Sequence, residues 1–281
     1  MAPEFETAAS VLRLNDPPVA LIKVDCTVET KTCGKFSVNG YPTLKIFKNG
    51  EVSSDYNGPR ESDGIIKYMR ARAGPASREL NTVEEVERFL NNMEHSIVGF
   101  FSSADSALAT EFKKVADQLS ESLRFAHSTN ADVLAKFNHK DQVVIYQPPR
   151  LQVPLEPKEN VYAGDAKSND LKRFVQEQLH GIVGHRTSSN AQDFKKPLVV
   201  VLYNVDYVRD PKGSNYVRNR VIKVAQKLRK ENLGLTFAVS SVEDFRQELG
   251  EFGVETPDVQ AKYIIGRGAR DEKFKFDGEY S

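Results

Sequence analysis

Cys26 and Cys33 are the only cysteines in the chain, and six residues lie between them. A redox pair places its attacking thiolate and its resolving thiol one helical turn apart, so this spacing does not read as a catalytic dithiol. Two cysteines in 281 residues also exclude a disulfide-scaffold fold, a four-cysteine zinc site and an iron–sulfur cluster. The five histidines form no ligand set. His180 and His185 flank a glycine-containing hinge that offers no further cysteine or carboxylate for a metal. No Ser-His-Asp constellation, phosphate loop or GxGxxG follows an expected strand, so neither a metal nor a cofactor is expected. Lys212, Arg218, Arg220 and Lys223 cluster around a helix start. Such a cluster is either a solvated helix face or a docking patch for an acidic partner, favouring encounter rate and specificity more than affinity.

The elements that must carry these residues follow from apolar periodicity. Short runs rich in β-branched and aromatic residues alternate with helix-period segments, the pattern of α/β domains with mixed sheets. The first block reads as helix 5–14, strand 20–26, short helix 29–36, strands 43–47 and 51–56, and helix 61–72. Gly74-Pro75-Ala76 then breaks the pattern. The second block opens on Thr82-Val83-Glu84-Glu85, a capping box, and its helix carries Val83, Val86 and Leu90 on one face. Strand 96–101, helix 107–119, strand 124–127, short helix 130–137, strands 142–146 and 160–163, and helix 168–179 follow, with a second break at 181–184. The third block reads as a turn at 190–194, strand 198–203, helix 216–230, strand 235–239, helix 242–249, and strands 262–265 and 273–276. A unit of strand, short helix ending near a phenylalanine, and strand recurs from Ala20, Leu123 and Leu235. Domains are therefore expected at 1–73, 76–182 and 185–281, with only the middle one complete.

Charge narrows the partners. Lys and Arg number 39 and Asp and Glu 39, giving a net charge of zero with the signs interspersed. Binding to nucleic acid by counterion release is not expected. No run of about 18 apolar residues is present, so membrane insertion is not expected, and Met-Ala-Pro-Glu-Phe-Glu does not read as a signal peptide.

A β-α-β-α-β-α-β-β-α plan with Tyr41-Pro42-Thr43 before the fourth strand resembles the thioredoxin fold. The segments "KVDCTVETKTCGKFSVNGYPTLKIFKNGE", "YNGPRESDGIIKYM", "SIVGFF", "RFAHST", "KGSNYVRNRV" and "LTFAVSS" resemble the protein disulfide isomerase family, over essentially the whole chain. Within it they are closest to the branch that handles glycoproteins with calnexin and calreticulin. The resemblance implies an α/β chain of tandem thioredoxin-like domains, each a mixed sheet flanked by helices, the first and last incomplete. It implies thiol–disulfide exchange during glycoprotein folding in the endoplasmic reticulum lumen for the intact parent. The family's Trp-Cys-Gly-His-Cys-Lys site would fall just before Met1, ahead of Ala2-Pro3-Glu4-Phe5. The chain is thus expected to be a fragment, inactive alone and without cofactor, that binds unfolded or glycosylated clients or a lectin chaperone. The rival expectation is a non-catalytic chaperone or scaffold module.

Residue by residue, the resemblance makes Tyr41, Pro42 and Thr43 the cis-proline loop that faces the dithiol and pairs with an extended substrate. Arg60, in Gly58-Pro59-Arg60, matches an arginine that can swing toward the active site; taken alone it is an exposed helix-start residue. Cys26 and Cys33 match a structural disulfide, the alternative being two reduced thiols, and a loop so short constrains the unfolded chain by about 2–2.5 kcal/mol. Lys212 and Arg220 match basic positions that grip an acidic chaperone arm, with Arg218 in the same cluster. The stretch from Arg150 to Lys158 departs from the pattern where a third basic position would lie, and Val217 stands in place of an aromatic. Without its central strand the first block is expected to be unstable, leaving Leu21, Leu44 and Ile46 without partners.

Overall fold

The computed structural model describes residues 2–15, 18–48, 50–231, 233–276 and 278. Met1, ahead of which the resemblance puts the dithiol, lies outside them. The chain forms two compact units, residues 1–78 with 118–122, and residues 79–117 with 123–281.

In the first unit α1 (Ala2–Arg13) and α3 (Ser62–Ala73) pack together, α2 spans Thr30–Lys35, and β1 (Lys45–Lys48) pairs antiparallel with β2 (Glu51–Asp55). Ala8, Leu12, Tyr56, Ile65 and Ile66 form the buried core. The strand expected at 20–26 is not there. Strands exist through their neighbours, and among the described residues none lies alongside this segment. It is instead held to α1, Val19 N–H donating to the Leu12 carbonyl at 3.0 Å and Lys23 Nζ to Glu6 Oε1 at 2.8 Å. Leu21, Leu44 and Ile46 do find partners, correcting the expectation: they pack half-buried against the α1–α3 core. Within the 20–26 segment the large apolar side chains left in solvent are Ile22, 76% exposed, and Val24, 49% exposed.

The second unit holds two five-stranded mixed sheets. In the first, β3 (Arg78–Glu79), α4 (Val83–Leu90), β4 (Ser96–Phe100), α5 (Ala107–Leu119), β5 (Arg124–Ser128), α6 (Ala131–Phe137), β6 (Gln142–Tyr146), β7 (Glu159–Tyr162) and α7 (Ser168–Gln178) follow in chain order. The sheet order is β3-β5-β4-β6-β7, with β4 parallel to β5 and antiparallel to β6. Every residue of β4 is buried, as a strand covered on both faces requires. Val98, Phe100, Val144 and Tyr146 meet Val86 and Phe89 of α4 on one face. Phe101 and Phe125 flank Phe112 of α5 at 5.4 and 5.7 Å. The capping box forms, Thr82 accepting from the Glu85 N–H while the Glu85 carboxylate accepts from the Thr82 N–H. Thr82→Ala is expected to lower the chemical-denaturation stability of this unit by about 1 kcal/mol, read by far-UV circular dichroism, with Glu84→Ala as a near-neutral reference.

The second sheet is built from β8 (Gly184–His185), β9 (Leu198–Tyr203), α8 (Pro211–Lys230), β10 (Thr236–Ser241), α9 (Arg246–Gly250), β11 (Tyr263–Arg267) and β12 (Lys273–Phe276), in the order β12-β11-β9-β10-β8. β8 turns the expected break at 181–184 into an edge strand paired with Ala238 and Val239. α8 starts five residues before the expected position because Asp210 caps it, accepting from the Gly213 N–H at 2.9 Å, and Pro211 suits the first turn. α9 is shorter than the expected 242–249. Ser241 Oγ accepts from the Glu243 N–H at 3.1 Å, a local turn that competes with helix.

Candidate interaction surface and the seam behind it

Cys26 and Cys33 are joined in a disulfide across 5.6 Å between Cα atoms, and Cys33 is buried. It ties the end of the unpaired 20–26 segment to α2. The Tyr41–Pro42 peptide bond is cis, Thr43 Oγ1 donates to the Gly40 carbonyl at 2.6 Å, and Tyr41, Pro42, Thr43 and Arg60 are all exposed. Among the described residues no group of three or more metal-ligating side chains converges.

The basic residues of α8 do not act together. Successive residues turn by about 100° around a helix, so Lys212, Tyr216, Arg220 and Lys223 share one face while Arg218 points away from it. The first four are exposed, Tyr216 at 60%, and the Arg220 guanidinium lies 5.2 Å from the Tyr216 ring centre. Arg218 is fully buried. This corrects its assignment to a docking patch: no partner can reach it. Its Nε donates to the Val183 carbonyl and its Nη1 to the Leu151 carbonyl, both at 2.9 Å, and its Nη2 pairs with the Glu156 carboxylate. Glu156 also accepts from the Ile182 N–H at 3.0 Å. Val217 is buried as well, in the core beneath α8.

The loop from Arg150 to Lys158, which departs from the family pattern at the third basic position, is tied into the seam behind α8. Arg150 Nε donates to the Met93 carbonyl at 2.8 Å, its Nη1 to His185 Nδ1 at 3.0 Å, and its guanidinium lies 5.0 Å from the Tyr207 ring centre. Asn215 Nδ2 reaches back to the Arg150 carbonyl at 2.9 Å, and Gln226 Nε2 to the Leu155 carbonyl at 2.7 Å. These bonds fasten the inner face of α8 to the neighbouring domain. Lys158 stays exposed. Burial, then the charges of Arg150 and Arg218, hold His185 down to about 3, and burial holds His95 well below the ordinary histidine range. His95 Nε2 meets Gln147 Oε1 at 3.0 Å, and His180 Nε2 meets Asp193 Oδ2 at 3.1 Å.

Arg218 and Glu156 are 62 residues apart, and no local motif links them. One signal was available: Arg218 stands in the apolar stripe Ser214, Val221, Ala225 at i, i+4, i+7 and i+11 spacing, where a solvated arginine does not belong.

Residues 101–281 match the family model described as Thioredoxin-like domain, and residues 1–71 match Thioredoxin. The chain is 41% identical over 284 residues to protein disulfide-isomerase A3 of Gallus gallus, covering 100% of this chain and 56% of that protein. The chain belongs to the protein disulfide isomerase family. Other members agree: probable protein disulfide-isomerase ER-60 of Schistosoma mansoni is 36% identical, over 99% of this chain and 56% of that protein. Protein disulfide-isomerase A4 of Homo sapiens is also 36% identical, over 99% of this chain and 43% of that protein. The chain thus spans about half the length of the family members it matches. A crystal structure of the bb fragment of ERp72 superposes with a TM-score of 0.64 at 27% identity, covering 73% of this chain and 91% of the fragment. The family's fold is the tandem thioredoxin-like arrangement described above.

Proposed function

We propose that this chain is the binding part of an endoplasmic-reticulum protein disulfide isomerase, holding unfolded or glycosylated clients and docking a calnexin- or calreticulin-type lectin chaperone. Thiol–disulfide exchange is then the work of a Cys-x-x-Cys dithiol, which these 281 residues do not contain. The carrying observation is the exposed stripe of Lys212, Tyr216, Arg220 and Lys223 on one face of α8. Three cations around an aromatic ring complement an acidic, partly apolar peptide. The exposed Tyr41-Pro42-Thr43 loop supports contact with extended polypeptide in the first unit.

Titration calorimetry with an acidic chaperone-arm fragment tests the reading. Arg220→Ala is expected to weaken binding about three- to tenfold and to flatten its salt dependence, the scale of one partly exposed charge contact. Lys136→Ala, on the exposed side of α6, is expected to leave binding unchanged. Equal affinities and equal salt slopes for the unaltered chain and Arg220→Ala would remove α8 as the docking surface.

A further inference from the structure

The junction between the two thioredoxin-like domains of the second unit gathers titratable groups that the binding proposal does not use. The chain crosses it through a short hinge containing Gly181, with φ of +67°, and Gly184. His95, His180 and His185 stand around this crossing, with the His95 and His180 rings 5.6 Å apart. His185 Nδ1 accepts from Arg150 at 3.0 Å, so it holds no proton of its own while the junction is closed.

A proton on that nitrogen removes the acceptor and adds a cation beside two others. Arg150 faces His185 from the loop after β6 and Arg218 from α8, while His180 acts on it from the end of α7. The Tyr207 ring packs against it at 4.9 Å. The carboxylates nearby are committed: Glu156 pairs with Arg218 and the Ile182 N–H, and Asp193 pairs with His180. Glu94 acts on Arg150.

We propose that this junction is an acid-released latch: protonation of His185 against Arg150 and Arg218 frees the two domains to separate about the hinge at residues 181–184. In the open form His185 is hydrated and takes up its proton near the ordinary value of 6.5, while the closed form rejects it until about 3. The closed form is therefore at full advantage above about pH 6.5 and loses ground as pH falls through that window. At pH 5 the balance moves toward the open form by about 30-fold from this one group. Because α8 carries the exposed basic face as well as Arg218, opening also swings that face away from the middle domain.

Distances between spin labels at Lys136→Cys on α6 and Lys227→Cys on α8, in the full chain, report the opening. No free cysteine competes for label. A single narrow distance is expected at pH 7.5, with a longer population growing below about pH 5.5 while the far-UV circular dichroism stays constant. His185→Gln keeps an acceptor for Arg150 but cannot be protonated, and is expected to remain closed to pH 4.5. An unchanged distance in the parent chain at pH 4.5, opening of His185→Gln at the same pH as the parent, or loss of helix signal together with the distance change would each overturn the latch. Histidine ring signals in the unsubstituted chain add a readout independent of any variant. His185 is expected to titrate together with opening, and its titration near 6.5 at an unchanged distance would also overturn the latch.

Discussion

Glu156→Ala is expected to destabilise the second unit by about 3–5 kcal/mol, far more than any exposed charge in the chain. The guanidinium of Arg218 is fully buried, and Glu156 is the carboxylate it pairs with. Removing that carboxylate leaves a cation in the interior that cannot shed its proton, together with an Ile182 N–H that has lost its acceptor. Arg218→Met is expected to cost less, because the remaining carboxyl can neutralise itself by taking up a proton. The double variant Glu156→Leu with Arg218→Met is expected to recover most of the loss, since an apolar pair of similar volume avoids desolvating two charges. Urea titrations followed by far-UV circular dichroism measure all three, the chain having no tryptophan to report by fluorescence. If the double variant were as unstable as the sum of the single ones, packing rather than charge pairing would hold this seam.

Reducing the Cys26–Cys33 bond is expected to unfold the first unit and leave the second intact. The bond closes a short loop and constrains the unfolded chain by about 2–2.5 kcal/mol. That is modest for a large domain, but this unit has a sheet of two strands, and every residue of β2 is exposed. A two-stranded sheet with a small core stands near the margin of stability, so a loss of this size is decisive. Hydrogen exchange read by mass spectrometry, with and without dithiothreitol, tests it. Amides of α1 and α3 are expected to exchange completely within seconds on reduction, while those of β4 and β9 keep their protection. Undiminished protection of α1 under reducing conditions would show that the α1–α3 pairing alone suffices.

What could be read in advance divides by the range of the interactions. The Thr82 cap, the buried strands β4 and β9 and the apolar face of α4 follow from neighbours a few residues away, and they stand where periodicity puts them. The stretch 20–26 has the β-branched composition of a strand, but strand formation depends on a partner that composition does not encode. Arg218 was placed with Lys212 and Arg220 because adjacent positions look alike in a linear reading. Two residues on a helix are about 200° apart, and that rotation separates a docking surface from a domain seam. Glu156, Arg150 and His185 had no local signal at all, since the hydrogen-bond partners of their side chains lie 26 to 62 residues away.

The two opposed faces of α8 have a practical consequence for anyone mapping its contacts. An alanine scan of the helix's basic residues, scored by loss of partner binding, is expected to rank Arg218 first, although it touches no partner. Its substitution distorts the platform on which Lys212 and Arg220 stand, so it would be a false hot spot. Folding controls are therefore part of the assignment, and the informative positions are those whose loss weakens capture while the melting curve stays where it was.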